Sequence, residues 1–218
     1  MHYLLSAYNY DLTDPESIPN LLSQHAFLVG VSMLISLVIA IPLGILISRY
    51  RKLALPVITF MDLLYTIPGL ALLGVLISIT GLSFTTAIIP LILYTQLVLI
   101  RNTSAALNGI DPLLIETARA MGMNGTQLLF RVTLPLALPV IIAGIRIATV
   151  TIIGIAALAS LVGEGGLGDL IFKNITSRDM DAVLAGAILL SLFAIVTDLL
   201  LLGVQTLLNR GRSALSVA

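Results

Sequence analysis

The chain has 218 residues, 58% hydrophobic and only 10% charged, with a net charge of zero and no cysteine. A soluble domain carries about a quarter charged residues, and a globule of this size cannot hide so much apolar surface, so lipid must solvate it. The balanced charge excludes a basic field for nucleic acid, and the missing thiols exclude a disulfide framework, a thiolate metal site and a cysteine nucleophile.

The first residues, 1–24, are polar and acidic, with Asp11, Asp14 and Glu16. They lack the basic start and short apolar core of a cleavable signal peptide and read as an extracytoplasmic tail. A bilayer crossing needs roughly 17 to 25 apolar residues. Five segments qualify, 25–48, 55–79, 84–100, 135–162 and 183–208, followed by a cytoplasmic tail at 209–218. The expected fold class is an all-α membrane protein of five transmembrane helices in one domain, without internal repeats. The positive-inside rule sets the orientation. With the N-terminus outside, Arg49, Arg51, Lys52, Arg101, Arg119, Arg131, Arg210 and Arg212 fall on the cytoplasmic side and only Lys173 and Arg178 outside. This predicts an N-out, C-in chain. The polar stretch 102–134 is then cytoplasmic, and 163–182 is extracytoplasmic.

Within the second segment, Pro68 removes a helical hydrogen bond beside Gly69, which predicts a kink or break. Such a break serves packing or lines a pathway, and Tyr65 and Tyr94 are the nearest candidates for the pathway or gate. With Phe60, these tyrosines are candidates for cation–π contact with a cationic substrate; the alternative is ordinary packing. Asp62, Arg146 and Asp198 are charges within apolar segments, each roughly 10 to 17 Å from an expected inner helix end. They are expected as an intramembrane ion pair, Arg146 with Asp62 or Asp198, or as separate side chains reaching the inner interface. The two histidines, His2 and His25, have neither metal nor triad spacing, so no metal and no catalytic residue are expected.

The loop 110–134 holds two short helices. Asp111 is a good N-cap and Pro112 suits the first helical position, while Gly122 can take the left-handed conformation that ends a helix. Leu114, Ala118 and Met121 share one face, with Leu113 and Thr117 beside it. A second helix is expected at about 126–132. Such a loop fits either a connector lying on the bilayer or a partner-docking element. Further on, Gly163-Glu164-Gly165-Gly166-Leu167-Gly168 formally matches a dinucleotide fingerprint. It lacks the preceding strand that motif requires, so it reads as a tight turn or an outer-mouth loop.

Glu116-Thr117-Ala118, then Gly122, then Val132-Thr133-Leu134-Pro135, resembles the E-A-A, three residues, G, nine residues, I-x-L-P signature of ABC importer permeases. Thr117 and Val132 depart from it with residues of similar size. The resemblance implies a type I importer permease fold whose coupling helices dock in a groove of a separate ATP-binding subunit. Glu116, Ala118 and Gly122 carry over from the motif, Arg119 lies between them, and Leu134 and Pro135 punctuate the next span. The chain has no G-x-x-x-x-G-K-[ST] sequence, so it would be no enzyme, and ATP and magnesium would bind the partner ATPase.

Leu64 to Leu73, Leu99 to Thr103, Pro135 to Arg146 and Gly166 to Ile171 resemble the osmoprotectant subgroup, which imports quaternary ammonium compounds such as glycine betaine, choline or carnitine. This implies a prokaryotic inner-membrane protein with an ATPase, an extracytoplasmic binding protein, a second permease chain and lipid as partners, and no nucleic acid. Two rival readings stand. One keeps the architecture and changes the cargo to methionine or another small amino acid. The other is an ion-coupled secondary transporter, which would need more spans or an inverted repeat.

Overall fold

A computed structural model describes residues 2–213, and among them there is no strand. Short turns α1 (His2–Leu5) and a 3-10 stretch (Ala7–Tyr10) precede α2 (Ile18–Arg49), α3 (Arg51–Thr66), α4 (Gly69–Thr80) and α5 (Phe84–Asn108). Then come α6 (Pro112–Ala120), α7 (Gly125–Leu128), α8 (Leu134–Ala156), α9 (Gly168–Ser177) and α10 (Met180–Ser213). Four helical rods are long and apolar enough to cross a membrane: Ile18–Arg49, Phe84–Asn108, Gly125–Val162 and Met180–Leu208. Counting the bent pair α3 and α4 as one crossing makes five.

α5 is the central rod, packed between α2 and α8. Val29, Met33, Ala40 and Ile47 of α2 meet Leu91, Leu99 and Ile100 of α5 and Ala148, Ile152, Ile153 and Ala156 of α8. Small residues bring the backbones close, as lipid-embedded helices require: Gly44 sits on Thr103 and Gly144 on Asn102. The chain direction puts the C-terminal ends of α2, α5 and α10 at one end of the bundle, with α6 and α7. The N-terminal ends of α2 and α10 lie at the other, with α9.

Several expected boundaries move. The N-terminal tail is structured from its first described turn, and α2 starts at Ile18 because Ser17 and Pro19 begin it and Ile18 and Leu21 bury against Leu167 and Leu170. α2 has 32 residues, so it is about 48 Å long and exceeds a hydrocarbon core of about 30 Å. The break at Pro68 is sharper than a kink: α3 and α4 meet at 89°. Ile67, forced into extended conformation by the proline after it, has φ −68° and ψ 124°. α5 continues past Ile100 to Asn108, so Arg101 lies inside a helix and not at its end.

The second loop helix does not stand apart either. α7 runs through a wide π turn at Leu129–Thr133 into α8, then a 3-10 stretch at Ala157–Val162, forming one rod of 38 residues. The π turn lies just ahead of Pro135, whose missing N–H removes an i→i−4 bond; the Leu134 N–H reaches Leu129 instead. α10 begins at Met180 and extends through Ser213, into the expected tail, whose last residues, 214–218, lie outside the described residues.

Candidate functional site

The loop between α5 and α8 is built by its caps. The Asp111 Oδ1 atom accepts the Leu113 N–H at 2.9 Å, and Pro112 occupies the first turn of α6. At the far end Gly122, with φ +83°, donates its N–H to the Arg119 carbonyl at 2.9 Å, and Met123 donates to Ala118 at 3.2 Å. That pair of bonds is a Schellman stop, and it needs the left-handed residue that glycine supplies. Asn124 and Gln127 then exchange side-chain and backbone bonds at 2.9 and 3.0 Å, a complete capping box that starts α7.

This clamped turn fixes which residues of α6 face out. Leu113, Leu114 and Met121 are 65%, 47% and 67% exposed, whereas Ala118 is 2% exposed and packs inward. The expected shared face therefore splits: Ala118 is buried, and the leucines and Met121 form the free apolar surface. Glu116 is exposed on that helix, with no ion pair among the described residues. Arg119 turns away from the free surface and lines a cavity against the end of α2. Leu134 and Pro135 are half-buried at the start of α8.

The three intramembrane charges do not form one cluster. Arg146 grips Asp198 with two bonds, Nε to Oδ1 at 2.9 Å and Nη2 to Oδ2 at 2.8 Å. Its Nη1 donates to Gln205 Oε1 at 2.9 Å, and Gln205 donates to the Pro139 carbonyl at 3.2 Å. This chain of polar contacts ties α10 to α8. Asp62 pairs instead with Arg101, which donates to both carboxylate oxygens at 2.7 and 2.6 Å. Arg101 became available once α5 ran past it. That pair is half-exposed, so its face of α3 and α5 suits water or another protein surface better than lipid.

The break in the second segment forms a cleft of about 280 Å³ lined by Tyr65, Pro68, Gly69, Tyr94, Ile155 and Leu158, among others. The Tyr94 hydroxyl donates to the Ile67 carbonyl at 2.6 Å and pins the break, while Tyr65 meets Tyr94 edge-on at 5.6 Å. Phe60 is not part of this lining.

The glycine loop is less open than an outer-mouth loop would be. Gly163 and Glu164 reach the surface, but Gly166 and Gly168 are buried. Gly166 donates its N–H to Gln24 Oε1 at 3.0 Å. A Cβ on Gly165 would run into that Gln24 side chain, and one on Gly168 would run into the Ala157 carbonyl. The loop thus wraps α2, where buried His25 contacts the Ile153 carbonyl through Nε2 at 3.0 Å. Lys173 clasps the same region, 2.6 Å from Asp169 and 2.9 Å from Glu16. The hydrogen bond to Asp169, then that to Glu16, hold its ammonium above the usual lysine range. Gln24 gave no sequence signal, because a single glutamine beside an apolar segment is ordinary.

The family model described as binding-protein-dependent transport system inner membrane component matches residues 36–213. The chain belongs to that family. This permease is 39% identical to the osmoprotectant import permease protein OsmW of Salmonella typhimurium over 214 residues, 96% of each chain. It is 45% identical to the glycine betaine/carnitine/choline transport system permease protein OpuCD of Bacillus subtilis, over 82% of its own length and 78% of the relative's. Among solved structures, it superposes on the MetNI methionine ABC transporter in an inward-facing conformation with a TM-score of 0.76 and 26% identity, covering 85% of the permease and 93% of that chain. The fold is that of a type I ABC importer permease, and the permease is a multi-pass component of the inner membrane.

Proposed function

We propose that this permease imports quaternary ammonium osmoprotectants as half of an ATP-driven importer, in N-out, C-in orientation. The cargo assignment rests on the near full-length similarity to the Salmonella osmoprotectant permease. The methionine transporter, at 26% identity, is a likeness of fold and bears less on cargo. In this reading α6 docks on a separate ATPase, which holds the ATP and magnesium, and the permease itself hydrolyses nothing. The exposed Leu113, Leu114 and Met121 are the contact surface, with Glu116 beside them. The opposite end, with α9, faces an extracytoplasmic binding protein, and a second permease chain completes the pathway.

In this reading the cleft at Pro68 lies on the pathway side, where the exposed Tyr65 ring, held by its contact with buried Tyr94, is available to a cation. The test is competitive uptake. Cells expressing the permease with its ATPase and binding protein should accumulate labelled glycine betaine, choline or carnitine, and excess unlabelled methionine should leave that uptake unchanged. Accumulation of methionine alone would transfer the assignment to the amino-acid branch.

A further inference from the structure

Between the end of α2 and the loop elements lies a cavity of about 210 Å³. Arg49 from the last turn of α2 and Arg119 from α6 both line it, and no acidic residue does. Neither arginine makes an ion pair among the described residues. Arg49 reaches well across the gap: its Nη2 lies 3.9 Å from where a Cβ on Gly125 would sit. The two hydroxyls in the wall are engaged, Ser48 donating to the Ile45 carbonyl at 2.7 Å and Thr133 to Leu129 at 3.2 Å. The free donors of the cavity are therefore guanidinium N–H groups. Leu128 and Leu129 supply an apolar side.

Two guanidinium groups with no carboxylate beside them make the cavity electropositive, and Arg49 also stands over the Tyr50 ring at 5.8 Å. Arginine's planar fork matches phosphate oxygens in pairs. We propose that this cavity is an anion site that holds a phosphate group between Arg49 and Arg119. The group belongs to a phospholipid headgroup or is free phosphate. A headgroup suits the place well, because the apolar rod α2 ends here at basic Arg49 and the leucine wall would meet the start of its glycerol and acyl chains. Bound there, the phosphate ties the membrane rod α2 to α6 on the side opposite its exposed apolar surface. The site stands apart from any assignment of cargo.

Native mass spectrometry of the full chain, purified with its ATPase, tests this with three probes: phosphatidylglycerol, phosphatidylcholine and inorganic phosphate. The expected result is one saturable phosphatidylglycerol adduct per permease chain, weakened about tenfold or more in Arg49→Gln/Arg119→Gln, with phosphatidylcholine bound more weakly. Saturable binding of inorganic phosphate with the same loss, and no preference for phosphatidylglycerol, assigns the site to free phosphate. Should the double variant fail to fold, the single Arg119→Gln change decides, since that side chain is exposed and has no hydrogen bond among the described residues. Arg131→Gln removes a cation outside the cavity lining and should leave binding intact. Binding equal in wild type and the Arg119 variant, an equal loss in Arg131→Gln, or no saturable binding of any probe overturns the proposal.

Discussion

Gly168 sits so close to the Ala157 carbonyl that a methyl group cannot fit without moving backbone. Gly168→Ala should lower stability by about 1–3 kcal/mol, read as a lower midpoint of thermal unfolding in detergent. An unchanged midpoint would show that the glycine loop is not held against the 3-10 stretch at Ala157 as described. Gly122 is the opposite case, with open space around its Cα and only its φ of +83° to satisfy. The Arg146–Asp198 pair makes a third prediction at this scale. Asp198→Asn and Arg146→Gln should each lower the unfolding midpoint, and the double variant should lose less than their sum, because each single change strands its partner. Strict additivity would mean that the pair carries no coupling. Counting residues from the helix ends was enough to bring Arg146 and Asp198 to similar depth. It could not exclude Asp62, because depth says nothing of which helix face a residue takes, and Arg101 was hidden as the expected end of its helix.

Among elements, α6 was legible almost residue by residue, since caps are local chemistry: Asp111 starts it and Gly122 stops it. Its surface was not. The inward turn of Ala118 depends on how α6 packs on its neighbours α7 and the π turn, which no periodicity within α6 reveals. The merger of α7 with α8 was also hidden, because Leu134-Pro135 looks like a fresh start and the π turn that accommodates it has no sequence signature. The N-terminal residues misled for a related reason. Their polarity reads as a tail, while Ile18 and Leu21 order them through contacts with residues about 150 positions away. The α6 surface carries a direct prediction. Leu113→Glu and Met121→Glu alter side chains that are 65% and 67% exposed, so stability should hold within about 0.5 kcal/mol. Recovery of the ATPase with the affinity-purified permease should fall about tenfold. Full recovery would place the ATPase elsewhere.

For the whole molecule, composition alone required lipid, and the spacing from Glu116 to Pro135 pointed to the family. The sharp break between α3 and α4 leaves both helices largely exposed, and beyond Gly186 the described part of α10 has no buried residue. One chain offers a cleft and an incomplete wall, as half of a shared pathway would. The proposed coupling has a separate ATPase drive movement through that pathway. It is tested most directly by uptake of labelled glycine betaine into proteoliposomes holding the permease and its ATPase, with binding protein added on the side bearing α9 and ATP on the side bearing α6. Uptake should require both additions and should disappear in Met121→Glu. Uptake by the permease alone, driven by an ion gradient without ATP, would contradict the account.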